Sequence, residues 1–390
     1  MRATAYPNHY QQHRGAPKVP SSIPAWRQGL TPLSWVQIGS NTIYDTDPAT
    51  DPAINPSYSV GSHSAPWTPT GGLNGAAAEW SGGTQWNEEV WFIGGGHAGY
   101  KGNCVWSIDL KQDAPFWARR GYPSGSYQMP IGSVESIGAD NSVGSDGRPL
   151  AVHTYSLVAG TPSGIAVLPG GYQWQGSGTV TGHMFEPSSN DWLTGITFAQ
   201  PSTGTGTSGC AVYDAVRDCI WYLGGSMMCR YDRSTGAKTE LFTCLGTNVI
   251  GYYGRMHHDT TRDLIVLWIG TAPGGAYASN TCFFFDPNSP TGLTVAPQDT
   301  TTIRGTGGIV YSKAHDAYYA WTSGQNLVKI TPPSSSPGTN TWVSSTVTGS
   351  GGTLSASSNG VFGRMQLIEK YDCITLFNLT TEKLWVLPLS

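Results

Sequence analysis

The stretch Glu88–Trp117, EEVWFIGGGHAGYKGNCVWSIDLKQDAPFW, decides the fold. It begins with acids, continues through an apolar run (Val90–Gly94), a glycine break and a polar loop, and then has a second alternating run, Cys104–Leu110. An acid and a tryptophan close it. Apolar runs of this length between glycines and polar turns predict short antiparallel strands. The architecture therefore depends on whether this unit recurs.

The unit does recur as far as the C-terminus. An acid precedes the second predicted strand at Asp218, Asp263, Asp316 and Asp372, and these acids lie 45, 53 and 56 residues apart. A tryptophan opens the fourth strand at Trp117, Trp192 and Trp342. The predicted units span residues 75–121, 148–199, 208–245, 250–298, 305–349 and 360–390. Four-stranded units of this length predict the blades of a β-propeller.

The blade pattern resembles that of kelch-type propellers, the superfamily that includes the central domain of galactose oxidase. The features that carry the resemblance are an apolar run ending in a glycine pair, an acid at the end of the third strand and a tryptophan after it. The glycine pairs are Gly94-Gly95, Gly170-Gly171 and Gly224-Gly225. The resemblance implies an all-β, six-bladed propeller over residues 33–390. An irregular seventh unit within Ser124–Asp146 is the alternative, which its Gly and Ser content disfavours.

The sixth unit lacks its fourth strand, while a strand-like segment stands alone before the first unit. This segment is Leu33–Ile38, LSWVQI, within a closing strand over residues 33–39. An open ring would leave two exposed sheet edges. We therefore predict that Leu33–Ile38 pairs outside Leu384–Leu389 and closes the ring. Residues 1–32 are polar, contain five prolines and are predicted to form an extended arm.

Composition supports this fold and excludes several functions. Charged residues make up 12% of the chain, while it has 51 Gly and 15 Trp, which suits many short strands. No apolar run approaches the ~20 residues of a membrane span, so no membrane insertion is expected. A net charge of -4 without a basic cluster argues against nucleic acid as a partner. The N-terminus lacks the apolar core of a signal peptide, so synthesis in the cytoplasm is expected.

No metal site and no cofactor are predicted. His257 and His258 are adjacent on a strand, so their side chains should point to opposite sides. The recurring acids are predicted to form turns or link blades, and they are Glu89, Asp218, Asp263, Asp316 and Asp372. The seven cysteines, mostly within apolar strands, are predicted to be buried reduced thiols, with a disulfide pair as the alternative. No segment of the sequence matches the motif of the copper-radical site of galactose oxidase, so a copper oxidase is not expected.

Candidate ligand-binding residues fall into two groups. Arg255 and Arg364 each follow a glycine and precede a methionine at the start of an innermost strand, near the axial mouth. There they could bind an anion or a sugar acid, and the alternative is an inter-blade salt bridge or stacking. Loops offer polar and aromatic groups suited to carbohydrate at His97, Tyr100, Lys101 and Trp174. In the arm, the candidate docking residues are Arg2, Tyr6, Tyr10 and Arg14.

Two functions remain open. The first is a non-catalytic binding or structural module. Its Gly/Ser/Thr/Asn-rich, weakly charged surface is similar to that of bacteriophage tail-associated proteins, which implies virion association and use outside the cell. Such a module would dock on protein subunits through its arm and bind a host-surface glycan or protein. The second is an enzyme acting on extracellular glycans at the axial mouth. Whether the chain is an enzyme stays open, with the non-catalytic interpretation favoured.

Overall fold

The protein is a six-bladed β-propeller, built from six small antiparallel sheets arranged in a ring. The computed structural model describes residues 23–46, 76–77, 80–94, 104–121, 149, 152–170, 181–202, 209–244, 254–269, 281–299, 308–321, 323–355 and 360–390. Within these residues helical geometry is limited to positions 76–77 and to 3-10 turns at Ala25–Arg27, Tyr44–Thr46, Phe362–Arg364 and Glu369–Tyr371. The predicted all-β, six-bladed fold is confirmed.

Four antiparallel strands make each of the first three blades. Blade 1 contains β2 (Gly82–Trp86), β3 (Glu89–Ile93), β4 (Val105–Asp109) and β5 (Trp117–Gly121). Blade 2 contains β6 (Val158–Thr161), β7 (Gly164–Val167), β8 (Gly182–Glu186) and β9 (Asp191–Phe198). Blade 3 contains β10 (Gly209–Asp214), β11 (Cys219–Gly224), β12 (Met227–Asp232) and β13 (Lys238–Thr243).

The next two blades repeat this order, and the sixth is assembled from both ends of the chain. Blade 4 contains β14 (Arg255–Asp259), β15 (Leu264–Ile269), β16 (Thr281–Phe285) and β17 (Thr294–Val295). Blade 5 contains β18 (Gly308–Ser312), β19 (Ala317–Trp321), β20 (Leu327–Thr331) and β21 (Val343–Val347). Blade 6 contains β23 (Met365–Ile368), β24 (Cys373–Leu376), β25 (Leu384–Pro388), β1 (Ser34–Ile38) and β22 (Ser350–Gly351).

The first strand of each blade is the innermost. These strands are β2, β6, β10, β14, β18 and β23, and each contacts the next around the ring, with β23 returning to β2. The end of the ring at which they begin is termed the upper face, and the end at which they finish is the lower face. Because successive strands are antiparallel, the turns between first and second strands and between third and fourth strands lie at the lower face.

The N-terminal strand closes the ring as predicted. Val36 pairs with Val386, and Ile38 pairs with Leu384, so β1 is antiparallel to β25 and lies outside it. On its other side β1 pairs in parallel with β22, a two-residue strand from the end of blade 5 that the sequence pattern did not indicate. β22 pairs with Ser34 and Trp35 on the outer side of the closing strand, whereas Val36, Gln37 and Ile38 pair with β25 on its inner side.

The core is divided into six hydrophobic clusters, one at each junction between adjacent blades. Tryptophans fill much of this space, as expected for large side chains between diverging sheets. Those less than 2% exposed are Trp35, Trp91, Trp106, Trp117, Trp221, Trp321 and Trp342. Trp35 belongs to β1, so the closing strand also supplies part of the core between blades 5 and 6.

The sequence pattern predicts the innermost strand of blade 1 near Ala76–Trp80, where the alanines are small enough to lie near the axis, but the structure has this strand later in the chain. Ala76 and Ala77 are helical and buried in the cluster between blades 6 and 1, and Trp80 has a positive φ of 48°. The innermost strand instead begins at Gly82, where an added Cβ would collide with the carbonyl oxygen of Tyr155. The small residues next to the axis in blade 1 are thus Gly82 and Gly83 and not the alanines.

Candidate functional site

Arg255 and Arg364 both lie at the upper face. Arg255 is the first residue of β14, and Arg364 ends the 3-10 turn that leads into β23. Blade 5 separates their blades, and the charge of Arg364 nevertheless acts on Arg255. Their exposed fractions are 8% and 0%, so neither guanidinium reaches bulk water freely. The predicted position near the axis holds, but these arginines are buried within the ring and do not line an open mouth.

The segment 360–364, termed the axial plug, brings Arg364 to this position. Val361 belongs to the cluster between blades 5 and 6, and Gly363 lies so close to Gly83 of blade 1 that a Cβ on either would meet the other's backbone. Phe362 stacks edge-on against Tyr155 of blade 2, with ring centroids 5.5 Å apart. Contacts with several blades show that the plug lies across the upper end of the axis.

The backbone of Phe362 lies in the left-handed region, with φ at 47°, which residues other than glycine rarely occupy. This conformation turns the phenyl ring into the cluster between blades 2 and 3, away from the residue's own blade. The backbone strain is of the kind that surrounding packing must compensate, at about 1–3 kcal/mol. Arg364 donates a short hydrogen bond to the carbonyl oxygen of Gly360, which ties the two ends of the plug together.

Two described groups beside Arg255, the Cys210 thiol and the His257 imidazole, are neutral. Burial raises the pKa of the Cys210 thiol to about 12, so the thiol keeps its proton at neutral pH. Burial, together with the charge of Arg255, lowers the pKa of His257 to about 3, so this imidazole is neutral. Burial lowers the pKa of both Arg255 and Arg364 to about 9, which still leaves both guanidiniums protonated at pH ~7. The upper axis therefore carries concentrated positive charge.

The other predicted ligand-binding residues lie outside the described residues. They are His97, Tyr100, Lys101 and Trp174, and so are the arm residues Arg2, Tyr6, Tyr10 and Arg14. The residues flanking the first loop, Gly94 and Cys104, lie at the end of β3 and the start of β4. Both strand ends are at the upper face, the same end of the ring as the axial plug.

The recurring acids lie at the lower face, in the turns between first and second strands. All five adopt positive φ, which a turn requires and which Asp tolerates, and they are Glu88, Asp218, Asp263, Asp316 and Asp372. In blade 1 the equivalent acid is therefore Glu88 and not Glu89, whose carboxylate instead bonds within its own blade to Ser107. The prediction that the recurring acids form turns is confirmed for Asp218, Asp263, Asp316 and Asp372, and it is wrong for Glu89, which is the first residue of β3.

Four of these acids also link blades, through a series termed the lower belt. In each link, the residue that precedes one blade's acid reaches the acid of the next blade. The links are Arg217 to Asp263, Arg262 to Asp316, His315 to Asp372 and Tyr371 to Glu88. The belt joins blades 3, 4, 5, 6 and 1 in order, and it explains these carboxylates structurally.

The two arginine links have bidentate geometry. Arg217 donates from Nη1 and Nη2 to the two Asp263 oxygens at 2.9 and 2.5 Å, and Arg262 binds Asp316 at 2.6 and 2.7 Å. These hydrogen bonds hold the pKa of both carboxyls below the ordinary value, so both are ionised at neutral pH. Within its own blade, Arg217 also binds Asp214, a carboxylate with no exposed side-chain surface.

The residues before the first unit are anchored at the lower face. Trp26 donates from its indole Nε1 to the carbonyl oxygen of Leu110 at 2.9 Å, and the backbone nitrogen of Ala25 donates to Asp113. Arg27 donates to the carbonyl oxygens of Tyr371 and Ser390, both at 2.8 Å. The arm therefore joins the propeller at the junction of blades 6 and 1, on the face opposite to Arg255 and Arg364.

The histidine pair is divided between two junctions. His257 packs edge-on against Tyr318 of blade 5, whereas Nε2 of His258 lies 3.1 Å from Asp263. The expected opposite orientation is confirmed.

Across the described residues no group of three or more His, Cys, Asp or Glu side chains could hold a metal ion. All seven cysteines are buried thiols in no disulfide, as predicted.

Two functional elements were missed in the sequence. The belt arginines have a readable pattern, D-x-x-R-D, at residues 214–218 and 259–263, in which the first Asp ends the innermost strand and caps the turn. The axial plug has no such pattern, because its contacts join segments far apart in the chain.

No helix in the described ranges is long and apolar enough to cross a membrane. Comparison with models of known protein families and with curated proteins gave no match.

Proposed function

We propose that this chain is a non-catalytic binding and assembly module that docks on a larger protein assembly through its N-terminal arm. The observation that carries the proposal is the fixed attachment of the arm. Ala25, Trp26 and Arg27 are each hydrogen-bonded at the lower face, and Ile23, just before them, is 60% exposed. The described part of the arm, from Ile23 on, is thus attached on the face opposite to Arg255 and Arg364, so docking through the arm and ligand binding at the upper face would use different surfaces.

The assembly that we propose is a bacteriophage virion, with the chain as a tail-associated, kelch-like propeller. The low charged fraction of 12% and the 51 glycines support this class, because a weakly charged, glycine-rich surface is typical of such proteins. The kelch-like pattern is supported by Asp109 at the end of β4 and by Trp117, which is 1% exposed in the junction between blades 6 and 1. The proposed ligand of the upper face is a host-surface glycan or protein.

Catalysis on glycans is the competing function, and the lower belt argues against it. Glycoside hydrolysis uses two carboxyl groups on either side of the scissile bond. The recurring carboxylates Asp263 and Asp316 lie in ion pairs with Arg217 and Arg262 at the lower face, away from the axial arginines. Their hydrogen bonds lower their pKa, which is opposite to what a general acid requires.

A glycan array combined with a reducing-sugar assay separates the two functions. The full chain is incubated with bacterial surface polysaccharides, and both bound protein and released reducing ends are measured. Binding without release of reducing ends is the expected result. Release that grows with time and with protein concentration would refute the non-catalytic proposal.

The docking role is tested with a chain that lacks residues 1–22. In a phage whose own copy is deleted, the full chain is expected to enter particles, whereas the truncated chain is expected to stay in the soluble fraction. Val216→Ser is the matched control, since Val216 is a 69% exposed residue of a lower-face turn that lies outside the arm. Particles that contain the truncated chain at the same level as the full chain would refute docking through the arm.

A further inference from the structure

Arg255 is a buried charge that the described residues do not compensate. Its side chain belongs to a residue that is 8% exposed, and the positive charge of the buried Arg364 acts on it. Burying a charge is costly unless an opposite charge and hydrogen bonds compensate it. Nη2 of Arg255 is buried and has no hydrogen-bond partner among the residues that the structure describes. A donor-rich, positively charged site of this kind calls for an acceptor with negative charge.

The neighbouring described groups cannot supply that charge. Cys210 and His257 are both neutral at physiological pH for the reasons given above. The lower-belt carboxylates lie at the other end of the ring, bound to Arg217 and Arg262. Deprotonation of an arginine is no alternative near pH 7, since a guanidinium keeps its proton well above that pH.

We propose that the upper end of the axis binds a small inorganic oxyanion, phosphate or sulfate, between Arg255 and the axial plug. The planar fork of a guanidinium matches the oxygens of a tetrahedral oxyanion in bidentate geometry. A free ion is favoured over a phosphorylated or sulfated polymer because the plug covers the site and leaves Arg364 with no exposed surface. The ion would neutralise the axis and hold blades 4 and 6 together. This inference does not depend on docking through the arm.

The test uses the full chain and sodium phosphate as the probe. After extensive dialysis into a weakly buffered zwitterionic solution, the melting temperature is measured against phosphate concentration, with sodium chloride at equal ionic strength in parallel. Phosphate is expected to raise the wild-type midpoint with the logarithm of its concentration above the dissociation constant, reaching about 3 °C at 100 times that constant. Ion chromatography of the denatured, ultrafiltered protein measures any anion retained through dialysis.

Arg255→Met removes the guanidinium while keeping an extended apolar side chain. Without phosphate this variant is expected to melt at or above the wild type, because an uncompensated buried charge is gone; in phosphate the order is expected to reverse. Arg255→Lys, which keeps the charge but not the planar fork, is expected to show a smaller shift in melting temperature at each phosphate concentration. Arg230→Met is the matched control, since Arg230 is an exposed arginine on β12, and its shift is expected to equal that of the wild type.

The outcomes decide the proposal in either direction. A shift in melting temperature that phosphate causes beyond the chloride control and that Arg255→Met abolishes, or one equivalent of retained phosphate or sulfate that this variant lacks, supports it. A wild type that neither responds to phosphate nor retains an oxyanion overturns it. So does an equal response to chloride, or phosphate binding that is unchanged in both Arg255 variants. Because no arm residue is altered, failure here leaves the docking proposal untouched.

Discussion

Removal of the closing strand is the most direct test of how the ring is held together. A chain that begins at residue 41 lacks β1, whereas a chain that begins at residue 33 lacks the arm and its lower-face contacts but keeps β1. Trp35 and Ile38 of β1 are 1% and 8% exposed. Burial of two such side chains contributes about 3–6 kcal/mol to the free energy of unfolding. Comparison of the two chains isolates this contribution.

The corresponding change in melting temperature follows from the size of the protein. With an unfolding entropy of about 2.1 cal/mol/K per residue over 390 residues, the shorter chain should melt about 4–7 °C below the longer one. Loss of the β1 hydrogen bonds adds to this shift, and the newly exposed edge of β25 should promote association. Circular dichroism melts and size-exclusion chromatography measure both effects. Midpoints within about 2 °C of each other, with both chains monomeric, would refute closure by β1.

Three further predictions follow from other contacts. Gly363→Ala places a methyl group against the backbone of Gly83 and should lower the free energy of unfolding, measured in urea, by about 1–3 kcal/mol. Gly292→Ala, where no other atom lies within 4 Å of the added methyl group, is the control. Equal losses of stability in the two variants would contradict the close approach. Because the pKa of Asp263 is lowered in the folded state, its carboxylate stabilises the fold above the unfolded pKa of about 3.9, and this contribution is lost as the pH falls through the folded pKa. Wild type should therefore lose more stability than Asp263→Asn between about pH 7 and pH 3 in thermal melts, and parallel curves would argue against the belt. All seven cysteines are buried, so a thiol reagent such as DTNB should label none in the native protein and seven in urea, while rapid native labelling would be inconsistent with the core.

Local patterning was sufficient for the blades and for the closing strand. The period of the acids and the apolar runs between glycines are local features, and they located the strands that surround Asp218, Asp263 and Asp316. The unpaired segment Leu33–Ile38 was assigned to blade 6 by counting strands, and the observed pairing of Val36 with Val386 agrees. The error in blade 1 arose because small size alone does not distinguish Ala76 from Gly82 as the residue nearest the axis.

The candidate site was predictable only in part. The repeated Gly-Arg-Met placed Arg255 and Arg364 near the axis, but whether they are exposed or buried depends on the plug. Phe362 adopts a backbone conformation that its residue type disfavours, and the packing of Tyr155 and Gly83 around it imposes that conformation. Such contacts join residues that are hundreds of positions apart, so no local pattern encodes them. The belt was readable in the D-x-x-R-D pattern, because each arginine immediately precedes its own blade's acid.

The pairing of β1 with β25 has a consequence for how the protein is made. Val36 leaves the ribosome 350 positions before its partner Val386. At about 5–20 residues per second, the first strand waits roughly 20–70 s for the last one. During that interval the five complete blades can form, but the ring cannot close and both of its future edges stay open to other chains. The ring can therefore close only after β25 has been made, when the first strand of the ring pairs with its last.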